Sequence, residues 1–346
     1  MNVDITQRID FLEYEEFLKK NYESTFYHSL KHLNFLKEVL NSKPFFITIR
    51  ENNNLNGVLP FFEKKSSYGK VINSLPFFGS YGGFVSNELS VQKKILETLN
   101  NYNMENDVLS SVIIENPFTN YRKIYNEYYK FNLKENRRIQ CIDLKEKSKE
   151  IIWNSFEQRV RRAVRKAEKN NVQVQKLIPD EEGLSNFLQM HKKEMESKNG
   201  RVKPPEFFKH LKNSFSPNKN YDIFCASIDG KDIAYLLVFY FNFYTEYYMP
   251  AYDSDFKNLQ ATSTLLWESI KTSVDKKMKY YNFGGTWKNQ PELYLYKRGW
   301  AADERGYNYY ISGNLDRAQK AGLEEIKKNY SYFYVFSYEQ IQNSES

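Results

Sequence analysis

Tyr280 to Trp300, YYNFGGTWKNQPELYLYKRGW, concentrates the residues best able to do chemistry. A β-rich run, YYNF, enters Gly284 and Gly285, and Lys297 and Arg298 follow about a dozen residues on. Neither glycine has a Cβ, so the backbone can turn there and approach another group closely. Fixed cations beside such a turn can form a ligand site at the C-terminal end of a strand. Gly284, Gly285, Trp287, Tyr294, Lys297 and Arg298 are therefore candidate site residues.

Two further segments could bind an anionic group. Trp153 to Asn171, WNSFEQRVRRAVRKAEKNN, places Trp153, Phe156, Val160, Ala163, Val164 and Ala167 at spacings of three and four. That spacing predicts one helix with a core-facing stripe, closed by Asn170 and Asn171. Arg161, Arg165 and Lys166 lie on its remaining circumference, where they suit a phosphate, a pyrophosphate or a tRNA backbone. A solvated face with a few ion pairs explains the same residues. Tyr81, Gly82 and Gly83 belong to FGSYGGF (78–84), a loop directly after a strand. Its glycines would allow a ligand to approach backbone N–H groups; the simpler account is a turn before the next helix. No Gly-Lys-Ser/Thr follows, so it is no Walker loop.

The elements that must position these residues come in two similar series. The chain has 346 residues, which suggests about two domains at ~150 residues each. PFFITIRENNNLNGVLPFFEK (44–64) and YDIFCASIDGKDIAYLLVFYFNF (221–243) are both hairpin-like, with turns at Asn/Gly and Asp229-Gly230. Each is followed by a strand (71–84 and 244–256), a helix (about 89–103 and 259–276) and another strand (108–115 and 279–283). A final strand closes each series near 137–144 and 305–312. The order implies duplication of one α/β unit in which the last core strand lies parallel to the third. The polar run LKEKSKE sets a boundary near 145–152, giving a first domain over 1–150 and a second over 151–314. A helical tail, 315–346, could pack back on the first domain.

Composition bounds the class. Hydrophobic residues make up 41% and charged residues 27%, which is the balance of a soluble globular protein. The 28 Tyr and 26 Phe can line a core or supply ligand-facing hydroxyls, and AT-rich coding accounts for them equally well. A net charge of +7 suits an anionic ligand without demanding one. Cys141 and Cys225 show no metal spacing and point to a reducing, cytoplasmic interior. His28 and His32 are four apart with no acid between them, so no metal site is expected. The charged N-terminus is no signal peptide, and the apolar run Ile233 to Phe241 is far short of the ~20 residues of a membrane helix.

Taken in order, these motifs resemble the Fem-type (FemAB/FemX-like) aminoacyl and peptidyl transferases and the related GNAT-fold acyltransferases. Its carriers are Gly284-Gly285 with Lys297-Arg298-Gly299, the helix bearing Arg161, Arg165, Lys166 and Ala167, Leu75-Pro76 with Gly82-Gly83, and Met249-Pro250-Ala251-Tyr252-Asp253. It spans about Pro44 to Tyr310. The resemblance implies two tandem GNAT-like α/β domains with mixed sheets flanked by helices, the second holding the donor and catalytic cleft. It implies transfer of an acyl or aminoacyl group from acyl-CoA or aminoacyl-tRNA to an amine of a cell-envelope precursor, such as one of peptidoglycan or polysaccharide synthesis. No tightly bound cofactor is implied, and DNA is no partner. Contact with a membrane would be peripheral, through a lipid-linked acceptor.

By position in the family's motif, Lys297 matches the lysine at the reacting centre; Asp253 is a candidate proton acceptor or amine-orienting group, and Tyr252 and Tyr294 are candidate leaving-group proton donors. One departure bears on the donor. Lys257 to Thr262, where acyl-CoA enzymes offer a glycine-rich pyrophosphate turn, contains no glycine. That agrees better with the Fem-type branch, whose donor is aminoacyl-tRNA, and equally with a degenerate motif in an inactive domain. The long helical arm of the bridge-building Fem enzymes is also missing. Two non-catalytic readings rival transfer: a nucleotide- or RNA-binding module using the basic helix 153–171, and a scaffold.

Overall fold

Apolar runs rich in Val, Ile, Leu, Phe and Tyr make strands of these segments, continuous where both faces are covered, and amphipathic runs between them make helices. The computed structural model describes residues 1–77, 81–198 and 200–342. The first half of the chain runs β1 (Asn2–Thr6), α1 (Phe11–Lys20), α2 (Leu30–Leu40), β2 (Phe45–Glu51), β3 (Asn54–Ser66), β4 (Gly69–Asn73), α3 (Leu89–Glu105), β5 (Val108–Ile114), α4 (Arg122–Tyr128) and β6 (Leu133–Asp143). There follow α5 (Lys149–Ser155), α6 (Gln158–Lys169), β7 (Gln173–Lys176), α7 (Glu181–Ser197), α8 (Phe207–Ser214), β8 (Tyr221–Ile228), β9 (Lys231–Phe241) and β10 (Tyr244–Tyr252). The chain continues through α9 (Ala261–Asp275), β11 (Tyr280–Gly285), α10 (Pro291–Gly299), β12 (Asp303–Gly313), α11 (Leu315–Ala321), α12 (Leu323–Asn329) and α13 (Tyr338–Gln342). No helix among the described residues is long and apolar enough to cross a membrane.

The chain forms two compact units, Met1–Arg138 with Gly306–Ser346, and Ile139–Arg305. In the first, β2 and β3 form an antiparallel hairpin, β4 is antiparallel to β3, and α3 carries the chain over to β5, parallel to β4. The second repeats the plan with β8 and β9, then β10, then α9, then β11 parallel to β10. Each sheet rests on its own apolar core. Ile47, Phe61, Ile95 and Ile113 are buried in the first, and Val164, Leu236, Leu265 and Tyr281 in the second.

The closing strands depart from the expected plan. Tyr309–Gly313 of β12 pairs with Ser110–Ile114 of β5 in the first unit, and Ile139–Asp143 of β6 pairs with β11 in the second. Each unit is thus completed by a strand that follows the other series in sequence, so the units are not the continuous stretches 1–150 and 151–314. In the tail, Asn73 exchanges two hydrogen bonds with the Tyr334 backbone, and the Tyr330 hydroxyl donates to Gly69 O at 2.9 Å.

The basic helix is also not one helix. Phe156 is extended (ψ 146°), Glu157 caps α6, and the Glu157 N–H donates to Gly299 O at 2.9 Å. Burying Phe156 between Trp267 and Trp300, whose rings lie 5.5 and 5.0 Å away, breaks the helix there.

Candidate active site

Lys297 sits in the last turn of α10 with a side chain that is only 4% exposed. Its ammonium donates to Gly285 O at 2.8 Å, Thr286 Oγ1 at 2.9 Å and Gly284 O at 3.3 Å. All three acceptors are neutral. Burial therefore acts on this cation without compensation and brings its pKa down to about 7.

The acceptors are fixed from two sides. The Thr286 hydroxyl donates to Gln140 Oε1 at 3.3 Å, and Gln140 Nε2 donates to Tyr294 O of α10 at 3.0 Å, closing a loop back to the helix. On the other side, the buried Glu246 of β10 accepts from Asn282 Nδ2 at 2.7 Å, and Asn282 Oδ1 accepts from Gly284 N at 2.9 Å. This shapes a turn at Gly284, whose φ of +71° suits a residue without a Cβ. The β6–β11 register shifts between Asn282 and Gly285, and that irregularity turns two carbonyls toward Lys297.

β10 and β11 pair only at Tyr244–Tyr280, Thr245–Tyr281 and Glu246–Asn282. β10 then runs on to Tyr252 without β11, after a bulge between Tyr247 and Met249. The strands diverge at the Glu246–Asn282 pair, the pair that orders the lysine's turn. Tyr247 and Phe283 stand at the start of the divergence with rings 5.5 Å apart.

The other expected site residues are distributed as follows. Trp287 is 53% exposed beside the glycine turn, and Tyr294 takes part through its carbonyl. Arg298, next to Lys297 on α10, is exposed. Tyr252 ends β10 with its N–H bonded to Glu194, and Asp253 caps the 3₁₀ turn Ser254–Leu259 and pairs with Lys231 at 3.4 Å. α6 docks on α10 through Arg159 Nη2, which donates to Leu295 O at 2.5 Å. On α6, Arg161 donates to Asn154 O, Arg165 lies over the Trp153 ring and Lys166 is exposed. None of these three touches Lys297.

Tyr81, Gly82 and Gly83 belong to the first unit, while 78–80 of their loop fall outside the described residues. Gly82 N bonds Ile114 O, and a Cβ on Gly83 would meet the Tyr125 hydroxyl at 2.2 Å, so this turn is packed against its own unit. Thr286, Gln140, Glu246 and Asn282 escaped sequence reasoning. A signal existed for two: Gln140 and Glu246 are polar residues inside apolar strand runs, and polar groups buried in a sheet need dedicated partners.

A hairpin, a third antiparallel strand, a crossover helix and a parallel strand define an α/β GNAT fold, here present twice, and in the second unit the parallel strand splays from the third. Residues 154–298 match the acetyltransferase (GNAT) domain model. FemX is similar over 90% of this chain and 97% of its own, with a TM-score of 0.71 and 14% identity. L-PGS from Bacillus licheniformis is similar over 93% of this chain and 96% of its own (TM-score 0.56, 13% identity). A tandem GNAT protein from the clavulanic acid biosynthesis pathway aligns over 90% of this chain and 98% of its own (TM-score 0.52, 7% identity). No curated protein matches the sequence. The chain thus carries a GNAT domain in a tandem GNAT fold.

Proposed function

We propose that the protein is a Fem-like N-acyltransferase that moves an aminoacyl or acyl group from an activated ester or thioester to an amine of a cell-envelope or glycan precursor. The observation that carries this reading is Lys297, a buried cation on neutral oxygens beside diverging parallel strands. In such transfer the amine nitrogen bonds to the carbonyl carbon, the carbon–oxygen or carbon–sulfur bond breaks, and the leaving atom takes the electron pair. The nitrogen must shed a proton and the leaving oxygen must gain one. An ammonium poised near neutral pH, in a site that excludes water, stabilises the developing negative charge and can supply that proton. Lys297 takes this role. Tyr252 and Asp253 would orient the amine, and the basic face of α6 would meet a phosphate-bearing donor.

Two features favour aminoacyl-tRNA over acyl-CoA as donor. The turn before α9 has no glycine to admit a pyrophosphate, and Tyr247 with Phe283 fills the start of the strand divergence. The acceptor would be a nucleotide- or lipid-linked amine, and a reducing, cytoplasmic setting suits that chemistry.

The test is a thermal-shift and transfer panel of charged tRNA, acetyl-CoA and nucleotide-linked amino sugars. Charged tRNA should stabilise the wild type with a steep salt dependence, and Lys297→Met should bind it but not transfer. Stabilisation by acetyl-CoA alone would shift the donor to acyl-CoA. Full turnover by Lys297→Met would remove the lysine from the mechanism, and tRNA binding without turnover in the wild type would leave an RNA-binding module.

A further inference from the structure

We propose that Glu194 receives the α-ammonium group of an aminoacyl donor and so selects aminoacyl over plain acyl groups, an inference that rests on the aminoacyl-transfer reading above. Glu194 lies on α7 and is 8% exposed. Its Oε2 accepts from the Tyr252 backbone N–H at 3.2 Å, and its Oε1 pairs with Lys198 Nζ at 2.5 Å. The next residue, Asp253, sends its N–H to Ile233 O of β9. Successive N–H groups of a strand point to opposite edges, so the Tyr252 N–H points to the edge of β10 that β11 has left. The Glu194 carboxylate therefore stands on the bare edge of the diverging strands.

Tyr247 ties this edge to α10. Tyr247 is the residue just past the last paired position of β10, and its ring packs on Phe283 of β11. Burial above all raises the pKa of its hydroxyl, and Tyr296 and Glu194 raise it further, so the hydroxyl lies within electrostatic reach of both. Tyr296 directly precedes Lys297. Tyr296 of α10 and Glu194 of α7 thus both come near the Tyr247 hydroxyl.

Lys198 shows what this carboxylate accepts. Its ammonium rests on Glu194 and 5.0 Å from the centroid of the Tyr252 ring. A carboxylate beside an aromatic face is a strong receptor for a primary ammonium. Lys198 is half-exposed on a flexible stem and can swing out, leaving Glu194 to an incoming α-ammonium. A donor with no amine would gain nothing from displacing it.

The experiment compares two stable adenosine analogues by calorimetry at pH 6.5: 3′-alanylamino-3′-deoxyadenosine and its 3′-propanoylamino counterpart, which lacks only the α-amine. The wild type should bind the alanyl form at least tenfold more tightly. Glu194→Gln should lose that preference and keep the propanoyl affinity. Lys198→Gln, which frees the carboxylate, should bind the alanyl form more tightly with no change for the propanoyl form, and it serves as the test if Glu194→Gln fails to fold. Equal binding of both analogues by the wild type, or an undiminished preference in Glu194→Gln, overturns the assignment. Binding of neither analogue together with stabilisation by acetyl-CoA overturns the donor reading itself, and this inference with it.

Discussion

At the scale of single residues, the burial of Lys297 works against stability. Its folded pKa of about 7 lies below the 10.5 of a free lysine, so the folded state binds this proton less tightly than the unfolded chain. Burial therefore costs nothing above pH 10.5, costs progressively more as pH falls toward 7, and is fully expressed below that. At ~1.4 kcal/mol per pK unit the full cost is on the order of 5 kcal/mol. Lys297→Met should thus unfold at higher urea than wild type at pH 6, with the gap shrinking toward pH 10. A variant less stable than wild type at both pH values would mean that the three hydrogen bonds outweigh desolvation. If the ammonium form acts, kcat/KM should fall as pH rises through about 7, and Lys297→Met should lose at least ~100-fold with no such limb. Gly83 shows instead how a missing Cβ serves packing. With φ +78° and Tyr125 Oη 2.2 Å from a would-be Cβ, Gly83→Ala should cost about 3 kcal/mol by thermal melting. A loss under about 1 kcal/mol would mean that Tyr125 moves aside.

At the scale of elements, order was legible in the sequence and breaks were not. The hairpins, the crossover helices and the parallel strands follow from β-rich runs and helical spacing, which are local properties. The interruption between α5 and α6 is tertiary: the Phe156 side chain fits the stripe of one long helix, and only its burial against Trp267 and Trp300 bends the chain. The turn before α9 teaches a related lesson. Sequence shows that it has no glycine, yet Gln260 adopts φ +60° and ψ +30° there. A left-handed backbone can thus occur without glycine, at a cost in strain. Gln260→Gly should relieve that strain and raise stability by about 0.5–1 kcal/mol, measured by urea unfolding. A loss of stability would show that the Gln260 side chain, which donates to Lys257 O at 3.4 Å, does more than fill the turn. At the site, Lys297 and its glycines were legible because their types are unusual in their setting. Gln140 and Glu246 stood out only as polar residues in apolar runs, and what they do was not legible, because their partners Tyr294 and Asn282 are distant in sequence.

At the scale of the whole molecule, no local signal says which sheet a strand will join. β6 follows the first series and β12 follows the second, and reading each as the end of its own series put the boundary at 150. The pairing places it inside β6 and again inside β12. The consequence is testable with fragments. Residues 139–305 form a continuous stretch that keeps Ile139–Asp143 beside β11 and keeps Gln140 under Thr286. A fragment 151–314 lacks both, so it bares the edge of β11 and removes one of the two supports of the lysine's turn. Bare strand edges recruit other chains. The 139–305 fragment should therefore show a cooperative thermal transition and aggregate less than 151–314, and its Lys297→Met variant should again melt higher at pH 6 than at pH 9 relative to its parent. The 151–314 fragment should aggregate or melt without a sharp transition. Equal behaviour of the two would mean that the β6–β11 pairing contributes little. A cooperative 151–314 that aggregates less than 139–305 would restore the boundary at 150.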